Sequence, residues 1–175
     1  MARSSTENMI TLMSSDGEEF MVTEKVAREC TTIRNMLEDD CVITNIPLPN
    51  VTSDILSMVI EYCKEHVATA EKAAAETAEK GSSSAPAAAK ANKDLEEWDK
   101  AFMNVDVYTL CDLILAANYL NVSGLLDLAI QTAANLIKGK SPEQIRKTFH
   151  IQNDLSLEEE EKIRSQTPWA FEESE

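Results

Sequence analysis

Basic residues, long apolar runs and catalytic motifs are all scarce in this sequence of 175 residues. Lys and Arg number 16 against 31 Asp and Glu, so the net charge is −15. Such a charge repels a phosphate backbone or an anionic membrane surface, and we expect neither nucleic acid nor a membrane as a partner. The charge either steers the chain toward a basic protein surface or only keeps it soluble. No apolar run reaches about 18 residues, so we expect no membrane-spanning segment.

The short motifs that organise many active sites are also absent. The sequence has no Gly-rich phosphate loop, no His-Glu-x-x-His and no Gly-x-Ser-x-Gly. Its two histidines, His66 and His150, leave little room for Ser-His or Cys-His catalysis. Cys63 and His66 have a Cys-x-x-His spacing, but zinc needs about four ligands and no second pair is visible. We therefore expect a protein that is not an enzyme and that has no catalytic residue, metal or cofactor.

The termini and the cysteines bear on location. Residues 1–8 are polar and lack the apolar stretch of a signal peptide, and no Cys-x-x-Cys pair occurs among the four cysteines. Free cysteines in a reducing compartment often pack as small hydrophobic side chains. We expect a protein of the nucleus and cytoplasm, with residues 1–8 disordered.

The chain from residue 9 to residue 67 carries strand signals followed by helix signals. Polar and apolar residues alternate on both sides of Ser15-Asp16-Gly17, which predicts a β-hairpin over 9–22. Thr23 begins a predicted helix with its apolar face at Val26, Cys30, Ile33 and Leu37. Prolines at 47 and 49 allow a short edge strand at best. Thr52 begins the next predicted helix.

Composition changes between residues 68 and 94, a stretch rich in Ala, Glu and Lys. It contains no large apolar residue, and burial could not offset the entropy of ordering it. We predict a flexible linker or insertion, with some helix over 70–80 because Ala, Glu and Lys are good helix formers. A short amphipathic helix is predicted from Leu95 to Val105, and Thr109 with Asp112 signals the start of another.

The helix predicted over Ser123–Lys138, with Gly139 as its stop, carries two apolar stripes. One stripe is Leu126, Ile130, Ala133 and Ile137, and the other is Leu125, Ala129 and Leu136. Capping boxes at Ser141–Gln144 and Ser156–Glu159 begin two further helices that are poor in apolar residues. These helices either fold back and complete the core, or leave a surplus of apolar surface for a partner. The pattern leaves both interpretations open.

Several stretches of the chain occur in the order that is typical of one known family. They are Met9–Leu12, Ser14–Gly17, Ile46–Val51, Ile114–Leu120, Gly124–Asp127, Ile137–Glu143, Ile145–Phe149 and Trp169. In these stretches the chain resembles the Skp adaptors of Skp–cullin–F-box ubiquitin ligases, and plant members above all. The resemblance implies an α+β, mostly helical fold, in which a BTB/POZ-type domain (a small sheet plus helices) precedes a C-terminal helical extension. In those terms, residues 9–67 and 95–139 are the two halves of the BTB/POZ domain, and residues 140–175 are the extension.

The resemblance also implies a function and its residues. Family members bridge a cullin scaffold, with its RING subunit bound indirectly, to F-box proteins that hold the substrate for ubiquitylation and proteasomal degradation. The implied cullin-binding residues are Asn118, Tyr119, Pro47, Leu48 and Pro49. The implied F-box surface lies between about Ala117 and Glu175, at Ile130, Ala134, Ile137, Ile145, Phe149, Ile151, Ile163 and Trp169.

Some positions depart from the family pattern. His150 and Gln152 stand where Asn and Lys are common, and Leu155 replaces a frequent Phe. Before Trp169, Ser165–Pro168 replace a stretch that is basic, acidic and amide in the family. We expect these differences to affect which F-box proteins are preferred. Two other functions compete with the adaptor: a POZ-type self-associating scaffold or regulator, and a small acidic enzyme. The helices after Ser141 argue against the first, and the missing catalytic motifs argue against the second.

Overall fold

The computed structural model describes residues 8–39, 45–79 and 85–170. The described residues form three β-strands, eight α-helices and a terminal 3-10 helix over Pro168–Ala170. The strands are β1 (Met9–Met13), β2 (Glu19–Thr23) and β3 (Asn45–Pro47). The helices are α1 (Glu24–Arg28), α2 (Thr31–Glu38), α3 (Ser53–Glu79), α4 (Ala85–Phe102), α5 (Val107–Leu120), α6 (Ser123–Ile137), α7 (Pro142–Thr148) and α8 (Leu157–Gln166). The prediction of a mostly helical α+β fold is confirmed. Residues 1–7, part of the segment predicted to be disordered, lie outside the described residues.

The three strands form one small sheet in the order β2-β1-β3. Strands β1 and β2 pair antiparallel, with Ile10 opposite Val22 and Leu12 opposite Phe20, which confirms the predicted hairpin. Strand β3 pairs parallel to β1 at the edge, with Ile46 opposite Leu12. An edge position suits Pro47, because proline has no N–H to donate to a further strand.

The helix predicted after Thr23 is two helices. Thr23 caps α1 through its side chain, as expected, but α1 ends at Arg28 and α2 begins at Thr31. The break does not disrupt the predicted apolar face: Val26, Cys30 and Ile33 are buried, and Leu37 is half-buried. Periodicity predicted the buried residues correctly, because each short helix keeps a spacing of three or four residues.

The segment predicted as a linker is more helical than expected. Helix α3 continues through residue 79 and α4 already begins at residue 85. Residues 80–84 lie outside the described part of the chain. High helix propensity explains the difference, because Ala, Glu and Lys let a helix nucleated by the buried first half of α3 extend into solvent.

An aromatic cluster packs α4 against α3. The ring centroid of Tyr62 on α3 lies 6.5 Å from that of Trp98 and 6.0 Å from that of Phe102, both on α4. The His66 and Trp98 rings meet edge to face at 6.5 Å. His66 Nε2 lies 2.9 Å from a carboxylate oxygen of Asp99, on the other helix. The Cys-x-x-His spacing of Cys63 and His66 is thus used for packing: Cys63 is buried, and His66 faces Asp99.

A side chain of the hairpin turn caps α3. The Asp16 carboxylate accepts hydrogen bonds from the backbone N–H and the hydroxyl of Ser53, the first residue of α3. The hydroxyls of Ser14 and Ser53 lower the pKa of Asp16 from 3.8 to about 2. Sequence reasoning placed the start of α3 at Thr52 and missed this cap, because Asp16 and Ser53 are far apart in the chain.

We predict that Asp16→Ala lowers the melting temperature at pH 7, because it removes an acceptor for two donors at the start of α3. The carboxylate stabilises the fold only when it is ionised. The difference from the unchanged protein is therefore complete above pH 4 and shrinks as the pH falls toward 2. Glu19→Ala on β2 is the control, because it removes the same negative charge without touching the cap. Thermal unfolding followed by circular dichroism measures both, and equal melting temperatures for the two variants at pH 7 would contradict the cap.

The start of α6 lies against the Tyr62 side chain of α3. A Cβ atom built on Gly124 would lie 2.8 Å from the Tyr62 hydroxyl oxygen, closer than real Cβ contacts. The next nearest atom, in the ring, lies at an ordinary 3.9 Å. Glycine at this position therefore lets α6 approach α3 closely.

The expected effect of Gly124→Ala depends on the Tyr62 hydroxyl. Alone, the substitution should lower the free energy of unfolding by about 1–3 kcal/mol through overpacking. In a Tyr62→Phe background the clash is gone, and alanine should instead stabilise by up to about 1 kcal/mol through its helix propensity. Urea unfolding of the two single variants and the double variant measures this change of sign. The same loss in both backgrounds would contradict the close approach.

Candidate functional site

The hydrophobic core ends within α6. Leu125 and Ala129, in the first half of this helix, are completely buried. Leu126 and Ala133 of the other stripe are half-buried, whereas Ile130 and Ile137 are exposed. The two stripes of α6 therefore face different surroundings: one packs on α5 and the core, and the other is open to solvent at its outer edge.

Helix α7 begins with a complete capping box. The Ser141 hydroxyl accepts from the Gln144 N–H, the Gln144 side chain accepts from the Ser141 N–H, and Pro142 occupies the first turn. Ile145 and Phe149 on this helix are half-buried. The predicted start is confirmed, because all of its signals are local in sequence.

Helix α8 also begins with a capping box, and ion pairs connect it to α7. Ser156 and Glu159 form the second predicted capping box. Two ion pairs join the helices: Arg146 with Glu160 at 3.5 Å and Glu143 with Arg164 at 2.9 Å. The first pair is largely shielded from solvent and the second is about half exposed. Polar contacts thus set the relative orientation of α7 and α8.

Neither α7 nor α8 contributes a buried residue. Ile163 of α8 is exposed, and so is Ile151 after α7; Trp169, after α8, is 74% exposed. Ile145 and Phe149 are half-buried. Of the two interpretations that the sequence left open, completion of the core by these helices is wrong. The structure leaves a surplus of apolar surface on the part of the chain that it describes after Ala129.

We call this surface the C-terminal apolar surface and define it by the exposed residues Ile130, Ile137, Ile151, Leu157, Ile163 and Trp169. Five of the eight residues implied by the family resemblance belong to it. Ala134 is exposed on α6 beside it, and Ile145 and Phe149 are half-buried. Leu157, which is 85% exposed, is not among the residues that the resemblance implied.

A second candidate surface lies at the end of α5. Asn118 is exposed and Tyr119 is half-buried. The backbone carbonyl of Tyr119 accepts a hydrogen bond from the Thr32 hydroxyl at 3.0 Å, which fixes the end of α5 against α2. Leu115, one turn earlier, is 66% exposed, and sequence reasoning did not single it out.

In the segment from Pro47 to Pro49, the middle residue is buried, although all three were expected to contact a partner. Pro47 and Pro49 are exposed, but Leu48 is only 1% exposed and belongs to the core. The assignment of Leu48 to a partner contact is therefore corrected. Its side chain anchors the end of β3, because successive residues of an extended chain point to opposite faces and the inward position must be apolar.

Helix α5 starts at a different cap from the one predicted. The side chain of Asp106 accepts from the N–H groups of Tyr108 and Thr109, so Thr109 lies inside the first turn. An acceptor just before the helix satisfies two otherwise unpaired donors, and Thr109 is one of these donors rather than the acceptor.

Two further features of the described residues bear on other kinds of chemistry. No helix among them is both long and apolar enough to cross a membrane. In the same part of the chain, no three His, Cys, Asp or Glu side chains gather as a metal site would require.

A small sheet with α-helices packed on it, continued by a helical extension, defines a BTB/POZ-type protein with an added C-terminal part. Family comparison agrees with this class. Residues 8–68 match the Skp1 family tetramerisation domain, and residues 123–170 match the Skp1 family dimerisation domain. The chain belongs to the Skp1 family.

Full-length relatives agree. The chain is 58% identical to SKP1-like protein 1 of Oryza sativa subsp. japonica, over 98% of this chain and 100% of the relative. It is 56% identical to SKP1-like protein 20 of the same organism, over 98% and 99% of the two chains. It is also 56% identical to SKP1-like protein 1A of Arabidopsis thaliana, over 93% and 97%. The chain is thus similar to SKP1-like proteins of two plants along nearly its whole length.

Amide hydrogen exchange should separate the extension from the core. We predict that the amides of α7 and α8 exchange faster than those of α5 in the isolated protein, because neither helix has a buried residue. Mass spectrometry of peptides covering the three helices measures this, and the Leu110–Leu120 segment is the internal reference. Equal protection would mean that α7 and α8 are part of the cooperative core.

Proposed function

We propose that the protein is a non-catalytic adaptor subunit of a Skp–cullin–F-box ubiquitin ligase. In this function it bridges a cullin scaffold to F-box proteins, which present substrates for ubiquitylation and degradation. The observation that carries the proposal is the C-terminal apolar surface, which the fold does not use for its own core. Membership of the Skp1 family supports the same partners in general.

The proposed F-box site is the C-terminal apolar surface with Phe149 and Ala134 beside it. Exposed isoleucines and a tryptophan gain free energy when a partner covers them, at roughly 25 cal/mol per Å² of apolar area removed from water. Trp169, 74% exposed, is of the residue type that often dominates binding energy. The acidic residues Glu158 to Glu161 lie on α8 between Leu157 and Ile163, and would favour a partner with basic residues nearby.

The proposed cullin site is the exposed end of α5, with Asn118, Tyr119 and Leu115. Pro47 and Pro49 are carried over from the family resemblance as additional contacts. Tyr119 and Asn118 are held by a rigid element, since α5 buries Leu110, Leu113 and Leu120 against the core. A rigid site loses little conformational entropy on binding.

A self-associating POZ protein is the competing function. It would leave the C-terminal apolar surface without a use, because association through the POZ domain does not involve α7 or α8. The adaptor function uses both surfaces, and we infer residence in the nucleus and cytoplasm, where such ligases act. Imaging of a fluorescent fusion would test the location separately.

Two double variants should separate the two sites. We predict that Asn118→Lys with Tyr119→Lys abolishes cullin binding and leaves F-box binding intact. Phe149→Ala with Trp169→Ala should abolish F-box binding and leave cullin binding intact. Each truncated anchor should cost about 2 kcal/mol or more, which corresponds to roughly 30-fold in affinity. Pull-down against a purified cullin and a purified plant F-box domain measures both arms.

The two variants serve as controls for each other, because each must keep one partner and so must be folded. Their melting temperatures should lie close to that of the unchanged protein. If both variants retained both partners, the adaptor function would be wrong. If the protein instead formed a stable homodimer through Asn118 and Tyr119 and bound neither partner, the POZ self-association function would be favoured.

A further inference from the structure

Three helices end in a residue with left-handed backbone geometry, and one of these residues is unusual. Gly139 follows α6 with φ 71°, Asn121 follows α5 with φ 54°, and His150 follows α7 with φ 53°. Glycine has no Cβ to clash in this conformation, and the short Asn side chain tolerates it. Histidine has the largest side chain of the three and adopts this geometry at a cost.

The ends of α5 and α7 use the same hydrogen-bond pattern. After α5, the Val122 N–H donates to the Ala117 carbonyl at 2.9 Å, across Asn121. After α7, the Ile151 N–H donates to the Arg146 carbonyl at 2.8 Å, across His150. This is the Schellman closure of a helix, and it turns the chain sharply at the left-handed residue. The turn at His150 therefore decides where Ile151 emerges on the C-terminal apolar surface.

The His150 side chain has a specific contact with α5. Its ring stacks on the ring of Tyr108, with the centroids 5.5 Å apart and the planes only 7° from parallel. Tyr108 is itself positioned, because its backbone N–H donates to the Asp106 cap of α5 at 2.9 Å. Tyr108 is 62% exposed, so the contact is a surface one that no core packing imposes.

The Tyr108–His150 contact connects the helical extension to the core. The ion pairs of the extension, Arg146 with Glu160 and Glu143 with Arg164, join α7 and α8 to each other. The Tyr108–His150 stack joins the turn after α7 to α5, which belongs to the core. A helix pair without a buried residue depends on a few such contacts for its orientation.

We propose that Tyr108 and His150 form a clasp that holds the helical extension against α5 and pre-organises the C-terminal apolar surface. The strain of His150 is offset by the ring contact, which glycine or asparagine could not make. Both residues are positioning residues. The effect on affinity rests on the proposed F-box function, whereas the effect on the order of α7 and α8 does not.

Amide exchange of the free, full-length protein tests the clasp directly. Tyr108→Ala should speed exchange in α7 and α8 by roughly 2- to 10-fold, the range expected for loss of an aromatic pair. Tyr108→Phe keeps the ring and should leave exchange unchanged. Exchange within the buried part of α5, and the melting temperature, should be the same in both variants. Equal exchange of α7 and α8 in the Ala and Phe variants would overturn the clasp.

A double-mutant cycle assigns the effect to the pair. His150→Ala should speed exchange of α7 and α8 in the unchanged background, but should have little further effect when Tyr108 is already Ala. His150→Asn separates strain from stacking, because it keeps a residue suited to the left-handed turn and removes the ring partner. Faster exchange in His150→Asn supports the clasp. Additive effects of Tyr108→Ala and His150→Ala would overturn it.

Affinity for a purified plant F-box domain tests pre-organisation. Tyr108→Ala should weaken binding by roughly 2- to 10-fold, and Tyr108→Phe should not. If Phe149→Ala with Trp169→Ala loses the F-box domain while Tyr108→Ala binds it normally, the adaptor function stands and pre-organisation is wrong. If neither variant changes F-box binding, the proposed F-box site is wrong, and the exchange experiments still decide whether the clasp exists.

Discussion

The packing of α6 against α5 is the constraint on which the rest of the molecule depends. It buries Leu125 and Ala129 completely, and no later residue of the described chain is fully buried. Apolar burial is the main source of folding free energy, so stability is concentrated before this point. The chain beyond α6 is held by interactions that are each worth about 1 kcal/mol or less, such as caps and partly exposed ion pairs. The apolar side chains there remain free for a partner.

Local chemistry explains how the extension forms helices without a core. Ser141 and Ser156 each begin a helix with a capping box, and acidic residues in the first turns suit the positive end of the helix dipole. Isolated helices as short as α7 and α8 are marginal in water, because nucleation is costly. The ion pairs between α7 and α8 and the ring contact of His150 with Tyr108 on α5 add to their stability. A partner that covers the exposed isoleucines would add more.

The features that could be predicted from the sequence are those whose signals are local. The hairpin around Asp16-Gly17 and both capping boxes depend on neighbouring residues, and all were predicted. The cap that Asp16 provides for Ser53 and the close approach of Gly124 to Tyr62 depend on residues distant in the chain, and neither was predicted. For the candidate site, periodicity gave two apolar stripes on α6 and left open whether one of them is surplus. The family resemblance supplied individual residues, and only the structure showed which of these are exposed.

Helix α5 connects the two candidate surfaces, and its two ends differ in how firmly they are held. Its C-terminal end presents Asn118 on a helix that is fixed by Leu113 and Ala117 in the core and by the Thr32 contact to α2. Its N-terminal end meets the extension at Tyr108, through rings at the surface. In the proposed function, the cullin scaffold would bind the rigid end of α5, and different F-box proteins would bind at the adaptable end. A surface held by caps, ion pairs and one ring stack can adjust to different partners at small cost. A shift in the position of Asn118 would instead require α5 to move within the core.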